Sequence, residues 1–475
     1  METITGRKDE IQQLNRLADS PKSEFVALYG RRRVGKTYLV NHVFKNRLTF
    51  SMSGVLEGTL KDQLLAFTDA MDDYGFDLPE KPSDWMSAFV MLKKALKKRK
   101  FDDERCIIFI DELPAMDAEN SNVAAAVGYF WNSWASLQEH LTLIICGSAT
   151  SWMISNVIDS KGGLHDRLTE EMHIHPFTLC EVEQYLDERK FVWNRMMKLQ
   201  AYMIFGGIPY YLSLLDNQES LAQNIDRMFF GKNMLMRREF RRLFSTLYKN
   251  PSRYIDIVKR LAESRMGLTR EQIAVQLGAA NNGHLGNQLE DLVNCDLVRK
   301  NVVMGKNIKR KDAIYQLRDF FSLFFLTFIE RAEQEQNYWF HHINTPEVNT
   351  WMGLAYERVC MEHIPQIKKG LRVDGISTVS YSWRSRKSVP AVQIDLIIQR
   401  ADLIVNVCEV KFSQDQYVLG KEEYEKIIRL KNTFVEETGI RHTPWLTIIT
   451  TEGLAKGQYA AAIPSQLTLD DLFQD

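Results

Sequence analysis

Gly30-Arg31-Arg32-Arg33-Val34-Gly35-Lys36-Thr37 sets two glycines, a lysine and a hydroxyl residue at the spacing that surrounds a chain of phosphates. Gly30 and Gly35 let the backbone bend so that successive N–H groups, those of Arg31, Arg32, Arg33 and Val34 among them, can point inward at phosphate oxygens. A helix starting at the loop's end would add its positive dipole. Lys36 would then reach the β- and γ-phosphates, and Thr37 would hold Mg²⁺. Asp111-Glu112 closes the run Cys106-Ile-Ile-Phe-Ile. There Asp111 can enter the Mg²⁺ shell and Glu112 can polarise the attacking water, whereas standing alone the pair would serve as a helix cap. Leu141-Thr-Leu-Ile-Ile-Cys146 leads to Gly147-Ser148. Ser148 either touches the γ-phosphate or the lytic water, or is a plain turn serine.

A second group of acids lies far downstream. Asp395 sits in Pro390-Ala-Val-Gln-Ile-Asp395-Leu-Ile-Ile, and Glu409 and Lys411 sit in Leu403-Ile-Val-Asn-Val-Cys-Glu409-Val-Lys411-Phe. Period-two geometry puts Glu409 and Lys411 on one face of a strand, and folding the two runs into a hairpin brings Asp395 within a residue or two of Glu409. Asp395 and Glu409 can hold Mg²⁺, the metal can lower the pKa of a bound water, and Lys411 can orient or stabilise it. Glu357, from the helix that carries Gly353-Leu-Ala-Tyr-Glu357, could complete the shell. That chemistry is phosphodiester hydrolysis, although Glu-x-Lys alone is common on any strand with a wet face.

The elements that must position these groups are legible in outline. Phe25-Val-Ala-Leu-Tyr29 is a short apolar run expected of a parallel strand covered on both faces, and Thr37-Tyr-Leu-Val-Asn-His-Val-Phe44 has helical spacing. Residues 171–245 alternate helical patterns with short loops and end in the basic stretch Met236-Arg-Arg-Glu-Phe-Arg-Arg242, either a DNA-facing surface or a solvated helix face. From 250 to 320 three helices and a basic hairpin are predicted, with Thr269 and Gln272 at capping-box spacing. This pattern reads as a winged helix-turn-helix. Its third helix would present Asn282, His284, Asn287 and Gln288, which can read base edges but bring no charge to phosphates. Lys309, Arg310 and Lys311 in the wing could supply it, and the rival reading is a module that docks internally.

At 475 residues the chain exceeds one core and should form about three or four domains. Lys+Arg 60 against Asp+Glu 61 leave a net charge of -1, so no global field draws the molecule to nucleic acid or membrane, and such binding must use a local patch. Cys106, Cys146, Cys180, Cys295, Cys360 and Cys408 stand apart, with no CxxC pair or zinc-ligand spacing, as expected of buried thiols in a reducing cytoplasm. The start Met-Glu-Thr-Ile-Thr-Gly-Arg-Lys has no apolar signal core, and Phe320 to Ile329 is half a membrane span. A cytoplasmic protein that does not engage membranes is expected.

Gly6-Arg7-Lys8-Asp9-Glu10, the GRRRVGKT loop, FIDE, CGSAT and Gly206-Gly207-Ile208-Pro209 together resemble the archaeal-type ATPase family, in the signal-transduction branch of the AAA+-like P-loop proteins. The resemblance implies ATP and Mg²⁺ as ligands, adenine-side roles for Gly6 and Arg7, a sensor role for Ser148 and a lid contact for Pro209, although Gly206-Gly207 before Pro209 would equally stop a helix. Arg167, in Leu164-His-Asp-Arg-Leu168, resembles the position from which AAA+ proteins offer an arginine finger to a neighbour, which implies a homo-oligomer; a surface ion-pair arginine is the rival. Glu357, Asp395, Glu409 and Lys411 resemble the helix glutamate, hairpin aspartate and ExK strand of the PD-(D/E)xK nuclease superfamily, with Gln393-Ile394 in place of its proline. The expected architecture is a multidomain α/β chain: a P-loop NTPase core with a parallel sheet over 1–170, a helical lid over 171–245, a winged helix-turn-helix over 250–320, and an α/β restriction-endonuclease-like domain over 345–475. The expected activity is an ATPase whose nucleotide state controls a nuclease acting on nucleic acid, DNA first; the alternative is a non-nucleolytic ATP-dependent switch that binds DNA or a protein. A metabolic kinase is disfavoured because no small-substrate domain is evident.

Overall fold

Strands whose residues are apolar throughout must be covered on both faces, and β3 (Cys106–Asp111) and β4 (Leu141–Gly147) are buried along their whole length. With β1 (Glu24–Tyr29), β2 (Leu48–Ser53) and β5 (Glu170–His173) they form an all-parallel sheet in the order β2-β3-β4-β1-β5. Phe25, Phe50, Ile108, Ile110, Phe130 and Ile145 belong to one core of this sheet and its helices, each contributing roughly 1.5–3 kcal/mol on burial. The computed structural model describes residues 4–77, 80–99, 105–118, 121–159, 164, 166–231, 235–301, 313–331, 337–385 and 392–475. Contacts divide the chain into Met1–Pro176 and Phe177–Asp475. β5 lies across the expected start of the helical lid: its residues 171–173 pair with β1 instead of forming helix.

In the second unit, three helices (Pro251–Glu263, Arg270–Gln276, Gly283–Asn294) accompany an antiparallel sheet of β6 (Leu268–Thr269), β7 (Val298–Asn301) and β8 (Ile314–Leu317) in the order β6-β8-β7. Thr269 and Gln272 form the capping box that their spacing predicts. Leu285, Leu289 and Leu292 are buried, and so is Gln288, which corrects its expected exposure: one position before Leu289, it falls on the inward face of the helix. Asn282 is spent on its own helix, its side chain accepting a hydrogen bond from the Leu285 amide, while His284 and Asn287 remain exposed. The expected wing residues Lys309, Arg310 and Lys311 lie outside the described residues.

A mixed sheet follows: β9 (Thr378–Arg384), β10 (Gln393–Arg400) and β11 (Ile404–Lys411) run antiparallel, then β12 (Thr443–Thr450) and β13 (Ser465–Leu467) run parallel to β11. The helix Pro346–Glu362, capped by Thr345, precedes it and buries Trp351, Met352, Ala355, Tyr356 and Val359. Its last residue, Glu362, ties it to the three-stranded module. Arg318 donates to both carboxylate oxygens, with Nη2 2.7 Å from Oε2, and Arg299 of β7 donates to Oε1. Phe320–Ile329 is buried helix, and among the described residues no helix is long and apolar enough to cross a membrane.

Burial alone would raise the Glu362 carboxyl, but Arg299 and Arg318 hold it below its ordinary value. A depressed carboxyl stabilises the fold above the unfolded-state value and loses that contribution as pH falls through the folded-state value. Glu362→Gln should therefore destabilise the second unit by about 3–5 kcal/mol at neutral pH, since two guanidinium groups lose their counter-charge and one of the two oxygens that accept from them. Urea unfolding of wild type and variant at pH 7 and at pH 3 checks this, because the difference should shrink in acid.

Candidate functional site

The loop between β1 and the helix Lys36–Phe44 needs its glycines. Gly30 has φ 138°, and a Cβ there would lie 2.3 Å from the Ile174 carbonyl oxygen, so no side chain fits. Gly35, at φ 92°, turns the chain into the helix. Lys36 Nζ donates to the carbonyls of Gly30 and Arg31 at 2.8 and 3.0 Å, so its ammonium lies inside the loop. Arg31 and Val34 are buried beneath the loop, and Arg32 and Arg33 are half-buried. Arg7, 5% exposed, sends Nη2 to the carbonyls of Val34 (3.1 Å) and His175 (2.5 Å), which locks the Gly6-Arg7 segment against the loop.

Adjacency in the sheet brings the acids to this loop. Thr37 Oγ1 donates to Asp111 Oδ2 at 2.7 Å, so a hydroxyl and a carboxylate converge beside Lys36. Both are hard oxygen donors of the type Mg²⁺ takes, and the pair fits such an ion. Glu112, in a left-handed conformation at φ 49°, turns back so that its carboxylate accepts from the Ser148 amide (3.2 Å) and hydroxyl (2.5 Å). Gly147 permits this approach, since a Cβ there would lie 2.7 Å from the Pro114 ring. Ser148 therefore orients Glu112, a contact that sequence spacing did not reveal. Arg167 is exposed in the first unit, and Pro209 opens the short helix Pro209–Leu212 in the second, after Gly206 and Gly207 at φ 67° and 65°.

The downstream acids lie toward one end of the mixed sheet. The β10–β11 register runs from Leu396–Cys408 to Gln399–Val405, and Asp395 and Glu409 are the next residues beyond the Leu396–Cys408 pair. Lys411 Nζ lies 2.8 Å from Glu409 Oε1 and 2.7 Å from Glu423 Oε1; Glu423 is an acid that sequence reasoning did not single out. Burial opposes the Lys411 charge, but Glu409 and Glu423 outweigh it and raise its pKa. Asp395 and Glu357 line one cavity with Ser382, Gln393 and Arg358. Burial, reinforced by the Asp395 charge, pushes the Glu357 carboxyl up to about 7, although Arg265 works the other way. Arg265, in the turn before β6, forms an ion pair with Glu357, and its backbone carbonyl accepts from Gln316 of β8 at 3.1 Å. Carboxylates are the donors a hard divalent cation takes, but Glu357, Asp395 and Glu409 as placed do not bring three ligand atoms within 4.8 Å of one another, so a metal there would need these side chains to turn inward.

Strand, glycine loop, helix, and a carboxylate on a neighbouring parallel strand together define a P-loop nucleotide-binding domain of the ATPase type. Residues 4–215 match the family described as an ATPase domain predominantly from Archaea, and the chain thus carries an archaeal-type P-loop ATPase domain. An uncharacterized protein of Methanocaldococcus jannaschii is 27% identical over 372 residues, which make up 77% of this chain and 78% of that one. A Walker-type ATPase of Pyrococcus abyssi is 17% identical, over 68% of this chain and 96% of that one, with a TM-score of 0.48. The ORC2 protein of Aeropyrum pernix is 12% identical, over 76% of this chain and 96% of that one, with a TM-score of 0.41.

Glu112→Gln should leave ATP binding intact, because it touches neither the loop nor Lys36, and should slow hydrolysis by about 100-fold or more. Parallel measurements of ATP affinity and steady-state phosphate release check both halves. Ser148→Ala should fall between wild type and this variant, since Glu112 keeps its charge but loses its hydroxyl partner.

Proposed function

We propose that ATP binding and hydrolysis at Gly30–Thr37 control a Mg²⁺-dependent, nucleic-acid-directed nuclease site built on Asp395, Glu409, Lys411 and Glu357. In this reading residues 250–320 are a winged helix-turn-helix that relays the nucleotide state, 171–245 are the helical lid that offers Pro209, and 345–475 are the nuclease-like domain. The observation that carries it is the ion pair between Arg265 and Glu357, on the wall of the cavity that Asp395 also lines. An arginine from the three-stranded module occupies a carboxylate that a metal would otherwise use, so a shift of that module would free or block the site. Lys36 and Thr37, with Asp111, hold MgATP; Gly6 and Arg7 flank the adenine; Glu112, oriented by Ser148, polarises the lytic water; and Arg167 completes the site of a neighbouring subunit in a homo-oligomer. When bound, Mg²⁺ at the downstream carboxylates supplies an acidified water, and Lys411 steadies the charge that develops on the phosphoryl group. DNA in the cytoplasm is the substrate that this reading favours.

The second reading is a non-nucleolytic ATP-dependent switch whose C-terminal fold binds DNA or a protein partner. The helix Gly283–Asn294 favours it, with no lysine or arginine to neutralise phosphates. Lys411, paired to two carboxylates, favours it as well.

Incubating the full chain with single- and double-stranded DNA and RNA, with Mg²⁺ or Mn²⁺ and with and without ATP, separates the two. Nuclease action predicts cutting that Lys411→Ala reduces by about 100-fold or more while nucleic-acid binding persists. It also predicts that Arg265→Ala raises cutting in the absence of ATP by about 10-fold, as expected when a restraining contact is lost. Wild-type protein that leaves every substrate uncut under all these conditions would overturn the nuclease reading in favour of the switch.

A further inference from the structure

Arg358 follows Glu357 on the helix Pro346–Glu362, but its side chain is buried, at 2% exposure. Among the described residues its Nε, Nη1 and Nη2 have no hydrogen-bond partner. A guanidinium carries five N–H donors and a fixed positive charge, so burying it unmatched is among the most expensive arrangements a fold can contain. Burial, with Arg299 adding to it, pushes the Arg358 guanidinium down to about 9.

The acids nearest to it are committed elsewhere. The Glu357 carboxylate is paired with Arg265, and Asp395 Oδ1 accepts from Gln393 Nε2 at 2.7 Å. Yet Arg358 lines the same cavity as Glu357 and Asp395, together with the polar side chains Asn301, Ser382 and Gln393. A buried fork of donors beside a polar cavity is the arrangement that recognises an anion. The neighbouring carboxylates decide which anion. A carboxylate ligand could satisfy the guanidinium, but a phosphoryl group has oxygens enough to meet the guanidinium on one side and a carboxylate-bound cation on the other.

We propose that the cavity at Arg358 binds a phosphoryl group, the phosphodiester of a nucleic-acid strand, and that Arg358 is its anion-recognition residue. This rests on the reading of the adjacent carboxylates as a phosphodiester-processing site and adds a residue, and a step of recognition, that the carboxylates and Lys411 do not supply. Arg358 grips the phosphate, and Asp395, Glu409 and Glu357 address the bond to be broken.

The test uses the full chain with its P-loop saturated by a non-hydrolysable ATP analogue and Mg²⁺, so that inorganic phosphate, the probe, is excluded from the nucleotide site. Calorimetric titration of wild type should show a phosphate site that Arg358→Met weakens by about 10- to 100-fold and Arg358→Lys weakens less, as expected when charge-assisted hydrogen bonds are lost. Without phosphate, Arg358→Met should melt at the same temperature as wild type or higher, because an unmatched buried charge has become a methionine of similar length. Equal phosphate binding by wild type and Arg358→Met would overturn the proposal. So would a marked drop in the melting temperature of Arg358→Met, since that result assigns Arg358 a structural role. The readout needs no cutting: lost phosphate binding in Arg358→Met, with a wild type that cuts nothing, supports the anion site and counts only against nuclease action. Undiminished cutting by Arg358→Met counts only against the anion site.

Discussion

Glu357 and Glu362 stand five residues apart on one helix, and the second unit is organised by how their charges are answered. Glu362 takes Arg318 and Arg299, and Glu357 takes Arg265, so every one of these arginines comes from the three-stranded module. A carboxylate withdrawn from water needs such partners, and a module that supplies them is tied in place by electrostatics as much as by apolar contact. The two links differ in kind. Glu362 meets two arginines, of which Arg299 and Arg318 are 16% and 28% exposed, whereas Arg265 is 67% exposed and reaches a single carboxylate. The first is built to persist and the second can break at little cost. That asymmetry places the adjustable contact at the candidate metal site.

A related economy governs the first unit. Three polar groups at the end of the parallel sheet are held by others: Lys36 by loop carbonyls, Thr37 by Asp111, and Glu112 by Ser148. These are bonds that nucleotide and metal can exchange for their own without rebuilding the backbone, since the glycines have already set its path. Preorganisation of this kind keeps the cost of binding low.

The parts of this design that are local in sequence were legible there. Gly30 to Thr37 declares itself because a turn, a phosphate cradle and a helix start need those residue types in that order, and β3 and β4 declare themselves by runs that are apolar but for Asp111 and Thr142. The β10–β11 hairpin was legible because strand periodicity and the short turn between the two runs set its pairing. β5 was not: Glu170-Glu-Met-His has a single apolar residue, as an edge strand allows, and its pairing with β1 identifies it. Gln288 misled because an amide can sit on the inner face of a helix without breaking the apolar pattern around it. Arg265 and Arg358 were missed for opposite reasons. Arg265 acts over 92 residues of separation, which no local pattern records. Arg358, seven residues after Trp351 and three after Ala355, already lay on the buried face, where a charge is anomalous.

The central claim is that nucleotide at the P-loop and metal at the downstream carboxylates are coupled, and coupling of binding is reciprocal. The most direct measurement is Mn²⁺ affinity at the site that Asp395→Asn removes, determined on the full chain saturated first with ADP and then with a non-hydrolysable ATP analogue. A difference of about 5-fold or more between the two nucleotide states is the expected result. Identical Mn²⁺ affinity in both states would contradict the claim.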